Sequence, residues 1–220
     1  VTVTMGAAQT RSEHSYQDLS DKTGFSLEQI TNLHKRFKQL SGDSETIRNL
    51  NSIPDLTDNP IKNQIINAFF DKRNQRNGEV GTYREIGFEE FLMVMSHFRP
   101  TSRKTSEEEK KAIRKEKLRF LFNMHDSDSD GTITLEEYRK VVEELLSKSG
   151  NIDLEVAKAI ADAAMLEVAS TNMPDMAPDY FYEGITFEHF EQILSGLEME
   201  SRMHIRFLDV DTNTMRCDRK

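Results

Sequence analysis

Apolar residues recur every three or four positions along this chain, in segments separated by short polar breaks. Leu27, Ile30, Leu33, Phe37 and Leu40 show this spacing in the first clear segment. Because an α-helix makes one turn in 3.6 residues, such a stripe lies on one face of an amphipathic helix. The same spacing recurs in the segments IKNQIINAFF, GFEEFLMVMSHF and IDLEVAKAIADAAMLEVAS. The pattern therefore predicts an all-α chain.

Two helix starts are marked by a serine followed three residues later by a glutamine or glutamate. These pairs are Ser26 with Gln29 and Ser106 with Glu109. In such a capping box each side chain accepts a hydrogen bond from the other residue's backbone N–H, which satisfies donors left free at the helix start. We therefore expect helices to begin just after Ser26 and just after Ser106.

A weak internal repeat joins three of these segments, and it predicts a repeated structural unit. The segments are GTITLEEYRKVVEELL, REIGFEEFLMVMSHF and EGITFEHFEQILSGL. Each places an isoleucine before a run that contains an aromatic residue and then helical apolar positions. We expect the isoleucines to pair as small β-bridges, so that the unit reads helix, loop, bridge, helix.

The order of these features predicts two lobes joined by an exposed connector. Residues 99–106 contain Pro100 and no large apolar side chain, which is typical of a linker. The predicted segments are a flexible amino-terminal segment at 1–22, an N-lobe at 23–98, the linker at 99–106, a C-lobe at 107–208 and a polar tail at 209–220.

The stretch DSDSDGTITLEE, from Asp126 to Glu137, matches the calcium-loop pattern D-x-[DN]-x-[DN]-G-x5-E. A calcium ion takes about six to eight oxygen ligands at roughly 2.3–2.6 Å, and this spacing supplies them. Asp126, Asp128 and Asp130 provide carboxylates, and Thr132 provides its backbone carbonyl. Glu137, at the start of the next helix, closes the sphere with both oxygens. The loop predicts an EF-hand, a helix–loop–helix unit that binds one calcium ion.

Two alternative interpretations apply to this loop. It could be a solvated acidic turn, since Thr134 can cap the following helix together with Glu137 without any ion. Mg²⁺ could also compete for the site, although a bidentate glutamate at the last position favours calcium. Gly131, at the sharp turn, and Thr134, which would act through water, complete the predicted calcium pattern.

The other three candidate loops lack the calcium pattern. The first has Ser41 where an acid is required. The second runs over residues 71–90 and contains Lys72 and Arg73, and the fourth begins at Pro178 and ends at His189. A histidine cannot replace a bidentate glutamate. We therefore expect four EF-hand units, of which only the third binds an ion, so that the chain holds one Ca²⁺.

Composition excludes several classes of protein. The net charge is -9, which argues against nucleic acid as the main ligand and favours cations or basic partner segments. No apolar run approaches the ~18 residues that a membrane helix needs, and no secretory leader is visible. Cys217 is the only cysteine, which fits a reducing compartment. The sequence contains no nucleophile–base pairing and no glycine-rich phosphate loop, so we do not expect an enzyme.

The motifs KTGFS, RFKQLSGD, NAFFDKRN, RKEKLRFLF, DSDSDGTITLEEYRKVVEELL and YEGITF together resemble the calcineurin B homologous proteins. They span residues 22 to about 208, and the degenerate loops match as well as the third loop does. In the branch of the family that these motifs match, four EF-hands are present and only the third binds calcium. The resemblance therefore implies the same pattern that the loop sequences predict.

The resemblance also implies partners. These proteins bind an amphipathic helix in the cytoplasmic tail of plasma-membrane sodium/proton exchangers and support the exchanger's maturation, surface stability and activity. Members of the matching branch are also described as inhibitors of the phosphatase calcineurin. The chain has 10 methionines and 13 phenylalanines, which suit a target-helix groove as well as they suit a core. A calcineurin B-type phosphatase subunit and a calcium buffer are the alternatives.

The sequence MGAAQT, from Met5 to Thr10, fits the N-myristoylation pattern, and the resemblance also implies a myristoyl group, here on Gly6. Acylation requires a free glycine amine, so residues 1–4 must be absent from the mature protein. One acyl chain binds a membrane only marginally, so the exchanger would have to hold the protein there. We expect a cytoplasmic protein, peripheral at the inner face of the plasma membrane and also present in the nucleus.

Overall fold

Helices dominate the computed structural model, which describes residues 15–51, 53, 56–75, 78–101, 105–147, 153–172, 184–197, 203, 206–207 and 210–211. Within these residues the helices are α1 (residues 15–23), α2 (Leu27–Ser41), α3 (Lys62–Phe70), α4 (Phe88–Ser96), α5 (Glu107–His125), α6 (Leu135–Ser147), α7 (Leu154–Asn172) and α8 (Phe187–Ile193). A 3₁₀ turn covers Lys72–Asn74. The predicted all-α class is confirmed. No helix in the described ranges combines the length and the apolarity needed to cross a membrane.

Among the residues that the structure describes, the strands form two antiparallel pairs, and each strand is two residues long. β1 (Thr132–Ile133) pairs with β2 (Ile185–Thr186), and β3 (Arg206–Phe207) pairs with β4 (Val210–Asp211). The predicted isoleucine bridges are confirmed, because Ile133 lies opposite Ile185 and Ile47 bridges to Ile86. Each bridge ties one loop to its neighbour, which is the arrangement that the repeat predicts. The β3–β4 pair has no counterpart in the sequence prediction.

The predicted flexible segment 1–22 differs from the structure over its second half, because residues 15–23 are helical. Leu19 on this helix is buried, and the Tyr16 hydroxyl hydrogen-bonds to Nδ1 of His34 on α2. The Thr23 hydroxyl donates to the backbone carbonyl of Leu19 at 2.6 Å. The polar composition of the segment conceals these few anchoring side chains, so sequence alone suggested mobility. Residues 1–14 lie outside the described part.

Both predicted capping boxes are confirmed. The Ser26 hydroxyl accepts from the Gln29 N–H at 3.2 Å, and the Gln29 side chain accepts from the Ser26 N–H at 2.8 Å. At the start of α5 the Ser106 hydroxyl accepts from the Glu109 N–H at 3.3 Å, and the Glu109 carboxylate accepts from the Ser106 N–H at 2.9 Å. Local sequence fixed these two starts because the hydrogen bonds lie within one helical turn.

Contacts divide the chain into two compact units, of which the first contains Val1–Asp55, Phe69–Arg103 and Met203–Lys220. Its core gathers the buried face of α2 and the aromatic side chains of the neighbouring helices. Phe37 packs against Phe91 with ring centroids 5.5 Å apart, and Phe69 stacks on Phe91 at 5.7 Å. Leu27 belongs to the predicted apolar stripe but is 47% exposed, because it is the first residue of α2.

The second unit contains Leu56–Ala68 and Lys104–Arg202. Its boundaries differ from the predicted lobes, since Leu56–Ala68 was expected in the N-lobe. A side-chain contact supports the grouping, because Gln64 on α3 donates from Nε2 to the carboxylate of Glu144 on α6. Helical periodicity identifies α3 but does not indicate that its residues up to Ala68 group with the second unit while Phe69 and Phe70 group with the first.

Candidate metal centre

The predicted calcium loop connects α5 to α6 and lies over a small apolar core. α5 ends at His125 and α6 begins at Leu135, so the first nine loop positions lie between the helices. Leu118, Phe122, Ile133 and Phe187 form the buried cluster under the loop. Phe122 meets Phe187 edge to face, with centroids 5.6 Å apart. The loop is therefore held at both ends by helices whose apolar side chains share one core.

The structure brings the three predicted aspartates together. Carboxylate oxygens of Asp126, Asp128 and Asp130 all lie within 4.8 Å of one another. Asp126 is buried with 2% exposure, whereas Asp128 and Asp130 face solvent. In the ranges that the structure describes, no other group of acidic, histidine or cysteine side chains has this geometry. The two exposed carboxylates, of Asp128 and Asp130, leave the cluster accessible from solvent.

Backbone N–H groups already bind these carboxylates. Asp126 Oδ1 accepts from the Asp130 N–H at 3.1 Å and its Oδ2 accepts from the Gly131 N–H at 3.2 Å. Asp128 Oδ1 also accepts from the Asp130 N–H, at 3.1 Å. These donors offset part of the repulsion among the clustered carboxylates. They also fix the directions of the Asp126 and Asp128 carboxylates.

Gly131 gives the loop its sharp turn, since its φ is +93°, a conformation that favours glycine. Thr132, the next residue, donates to Asp130 Oδ1 from its N–H at 2.7 Å and from its hydroxyl at 2.8 Å. These bonds place Thr132 beside the aspartate cluster. The role of its backbone carbonyl as a ligand stays a prediction.

Glu137, the predicted closing ligand, lies apart from the aspartate group and binds loop donors instead. Its Oε1 accepts from the Ser127 N–H at 2.7 Å and from the Ser127 hydroxyl at 2.8 Å. Its Oε2 accepts from the Thr134 N–H at 3.0 Å and from the Thr134 hydroxyl at 3.1 Å. Burial raises the pKa of Glu137, but the hydrogen bonds from Thr134 and Ser127 outweigh it and hold that pKa below its usual range. The glutamate is therefore kept ionised, as a metal ligand requires.

Thr134 caps α6, as the acidic-turn interpretation expects. Its hydroxyl oxygen accepts from the Glu137 N–H at 3.3 Å, and the Tyr138 N–H donates to its carbonyl at 3.0 Å. The capping arrangement and the aspartate cluster thus coexist in one loop. The water-mediated role of Thr134 toward an ion stays a prediction.

The donor set suits a hard divalent cation. Asp126, Asp128, Asp130 and Glu137 provide oxygen atoms only, which Ca²⁺ and Mg²⁺ prefer over nitrogen or sulfur ligands. The aspartate oxygens already converge, and Glu137 is the one predicted carboxylate that must turn to join them. The residues present therefore fit the predicted ion.

The fourth loop supports the third through the β1–β2 pair. Gly184 precedes β2 with φ +107°, and a Cβ added there would lie 3.1 Å from the carbonyl oxygen of Ile133. Only glycine lets the two backbones approach this closely without strain. Sequence reasoning found the isoleucine pair but not this glycine, for which the sole signal was a Gly directly before the bridging isoleucine.

The described parts of the degenerate loops show what replaces an ion there. In the second loop, Arg73 donates from Nε and Nη2 to the Asp71 carboxylate, with a shortest distance of 2.7 Å. In the first loop, Ser41 is the last residue of α2 and Gly42 caps the helix in a left-handed conformation. Pro178 and Gly6 lie outside the described residues.

Ser127 is the residue that sequence reasoning missed. It lies at the second loop position, which the calcium pattern leaves unspecified, yet it donates twice to Glu137. A small hydroxyl residue next to the first aspartate was its only trace in the sequence.

The chain is similar over nearly its whole length to several curated proteins. It is 57% identical over 210 residues to "Calcineurin B homologous protein 3" of Homo sapiens, which covers 94% of this chain and 98% of the relative. The Xenopus laevis protein of the same name is also 57% identical, with the same coverage. The Gallus gallus protein of that name is 48% identical over 209 residues, covering 94% of this chain and 97% of the relative. No family model matches the chain.

Proposed function

Because this chain belongs to the calcineurin B homologous protein family, we propose that its third loop binds a single Ca²⁺ ion and that the protein uses this ion in regulating a membrane transporter. Membership in the family makes it a calcium-binding regulatory protein with an EF-hand fold rather than an enzyme. The observation that supports the proposed site most strongly is the convergence of Asp126, Asp128 and Asp130. The six sequence motifs support the further proposal that the chain is a tescalcin-like member of this family.

The proposed ion is one Ca²⁺, with Mg²⁺ as a competitor. Asp126, Asp128, Asp130, the Thr132 carbonyl and Glu137 would hold it, and the ion would supply a fixed positive charge that joins α5 to the start of α6. In EF-hand sensors, binding of this kind changes the angle between the two helices of a unit and exposes an apolar surface.

The proposed partner is an amphipathic helix in the cytoplasmic tail of a plasma-membrane sodium/proton exchanger. The resemblance motifs support this partner, and two physical features are compatible with it. α7 exposes large apolar side chains, with Val156 50%, Ile160 45% and Leu166 60% accessible. The chain also carries a net charge of -9, which attracts a basic helix. By holding that helix the protein would support the exchanger's maturation, surface stability and activity.

Two further parts of the proposal rest on resemblance and motif alone. The protein would inhibit the phosphatase calcineurin by contacting its catalytic subunit. A myristoyl group on Gly6 would add a weak membrane anchor, so that the protein is cytoplasmic, peripheral at the inner face of the plasma membrane, and also nuclear. Intact mass measurement of protein from native cells tests the acyl group, because absence of the myristoyl increment rules it out.

Calorimetry with a synthetic exchanger-tail helix tests the main proposal. The wild-type protein is expected to bind one calcium ion, and Glu137→Gln is expected to bind it much more weakly because a neutral amide is a poor calcium ligand. The peptide should bind wild-type protein, and a scrambled peptide of the same composition serves as the control. Absence of peptide binding with and without calcium would refute the partner. Equal peptide affinity under all conditions would make the ion structural and not regulatory.

A further inference from the structure

The closing glutamate of the proposed calcium loop has its acceptor capacity occupied by donors of the loop itself. A carboxylate has about four lone-pair sites. At Glu137, Oε1 takes two short bonds from Ser127 and Oε2 takes two bonds from Thr134. The Asp128 N–H adds a long fifth contact to Oε1 at 3.4 Å. Since the aspartate group does not include Glu137, the carboxylate faces its own loop donors and not the cluster.

We propose that Ser127, which is not a predicted ligand, sets the calcium affinity of this loop by holding the Glu137 carboxylate on donors of the loop, outside the aspartate group. The inference rests on the proposed calcium site. A calcium ion needs both oxygens of a glutamate at this loop position, so lone pairs on Oε1 and Oε2 must be released. Every hydrogen bond that the loop makes to those oxygens therefore competes with the ion. Ser127 is a positioning residue in this sense, acting on the ion only through Glu137.

Of the donors that bind the Glu137 carboxylate, the Ser127 hydroxyl is the one that a substitution can remove without disturbing another described contact. The N–H groups of Ser127 and Thr134 belong to the backbone. The Thr134 hydroxyl has a second role, since its oxygen also caps α6 by accepting from the Glu137 N–H. The Ser127 hydroxyl lies 2.8 Å from Oε1 in an exposed residue, and no other contact of that hydroxyl helps to form the loop.

The proposed effect has a defined sign and a moderate size. A hydrogen bond to a charged group is stronger than one between neutral groups, but exposure to water reduces its contribution because water can replace the donor. Removing the Ser127 hydroxyl should therefore tighten calcium binding about three- to tenfold. An ordinary supporting role for Ser127 predicts the opposite sign, namely weaker binding after its removal.

The experiment compares calcium titrations of the full chain as wild type, Ser127→Ala, Ser127→Thr and Ser129→Ala. Ser129 is the matched control, because it lies in the same described loop and its hydroxyl does not donate to Glu137. We expect tighter binding only in Ser127→Ala, with Ser127→Thr close to wild type because it retains the hydroxyl. A second readout is thermal unfolding in a calcium chelator, where Ser127→Ala should unfold at a lower temperature while the calcium-loaded forms stay equal.

The outcomes separate this proposal from the proposed function. If wild-type protein binds calcium but Ser127→Ala binds it equally or more weakly, the role of Ser127 is refuted and the calcium site stands. If Ser129→Ala tightens binding as much as Ser127→Ala, the effect is a general loss of loop polarity and the proposal also fails. If the wild-type protein binds no calcium, the proposed site and the role of Ser127 fail together.

Discussion

Replacement of Gly184 by alanine tests whether the fourth loop supports the third loop, which is the proposed calcium site. Gly184 has φ +107°, a region that costs an L-residue about 1–3 kcal/mol. Its added Cβ would also lie 3.1 Å from both the Ile133 carbonyl oxygen and the Thr132 Cβ. These are atoms of the paired strand β1 rather than the ends of flexible side chains. Strand β1 must therefore shift, or the β1–β2 pair must open.

We expect Gly184→Ala to lower the free energy of unfolding by about 2–3 kcal/mol, which combines the backbone strain with the tight contact. Such a loss is large against the 5–15 kcal/mol that is typical of a whole domain. Calcium affinity should fall as well, because β1 begins at Thr132, inside the loop and between Asp130 and Glu137. Both effects follow from one displaced strand.

Urea unfolding followed by far-ultraviolet circular dichroism, with and without calcium, measures the stability change, and calorimetry measures the affinity. Gly196→Ala is the matched control in the same compact unit, because its added Cβ would meet no atom within 4 Å and its φ is ordinary. That variant should be neutral or slightly stabilising. Equal midpoints for the two variants, or unchanged calcium affinity in Gly184→Ala, would refute the coupling through β1 and β2.

Two further predictions concern the two cores. Phe122→Ala should destabilise the second unit by about 3–5 kcal/mol, since Phe122 is 1% exposed and contacts other aromatic rings. Leu197 is 57% exposed, so Leu197→Ala is the control and should change stability by less than about 0.5 kcal/mol in the same urea experiment. The pKa of His34 lies below 6.5, mainly because the ring is partly buried and secondly because Lys38 is positively charged. As the pH falls below about 6.5, the unfolded chain therefore binds a proton at His34 before the folded chain does. The stability that neutral His34 contributes is thus present above about pH 6.5 and is lost as the pH falls through its folded-state pKa. A series of urea midpoints between about pH 7.5 and 5 should therefore show a smaller loss of stability in His34→Gln than in wild type. Identical pH slopes for the two proteins would contradict this.

Features set by local spacing or by the internal repeat could be predicted well from the sequence. The caps at Ser26 and Ser106 and the pairing of Ile133 with Ile185 appear in the structure as expected. The aspartates converge as their alternate spacing predicts. In each case the interaction lies within a few residues, or follows from a repeat whose units must pack alike. Local backbone geometry is then enough to place the side chains.

Other features could not be predicted, because they depend on residues far apart in sequence. The helix at residues 15–23 exists because Leu19 is buried and Tyr16 reaches His34, 18 residues away. The grouping of Leu56–Ala68 with the second unit is supported by the contact of Gln64 with Glu144, 80 residues away. The local sequence of a polar segment or of an amphipathic helix does not indicate which distant residues it will contact.

The sequence by itself determined the helical class, the single complete calcium loop and the residue types that an ion would need. Those depend on helical periodicity and on oxygen ligands at fixed spacing, which are local properties of the chain. Only the tertiary structure decided where Glu137 points. Its carboxylate can either join the aspartates or bind Ser127 and Thr134, and the ligand pattern is the same in both cases. Hydrogen-bond geometry across ten residues of a folded loop selects between these positions, and that geometry exists only after α5 and α6 have packed.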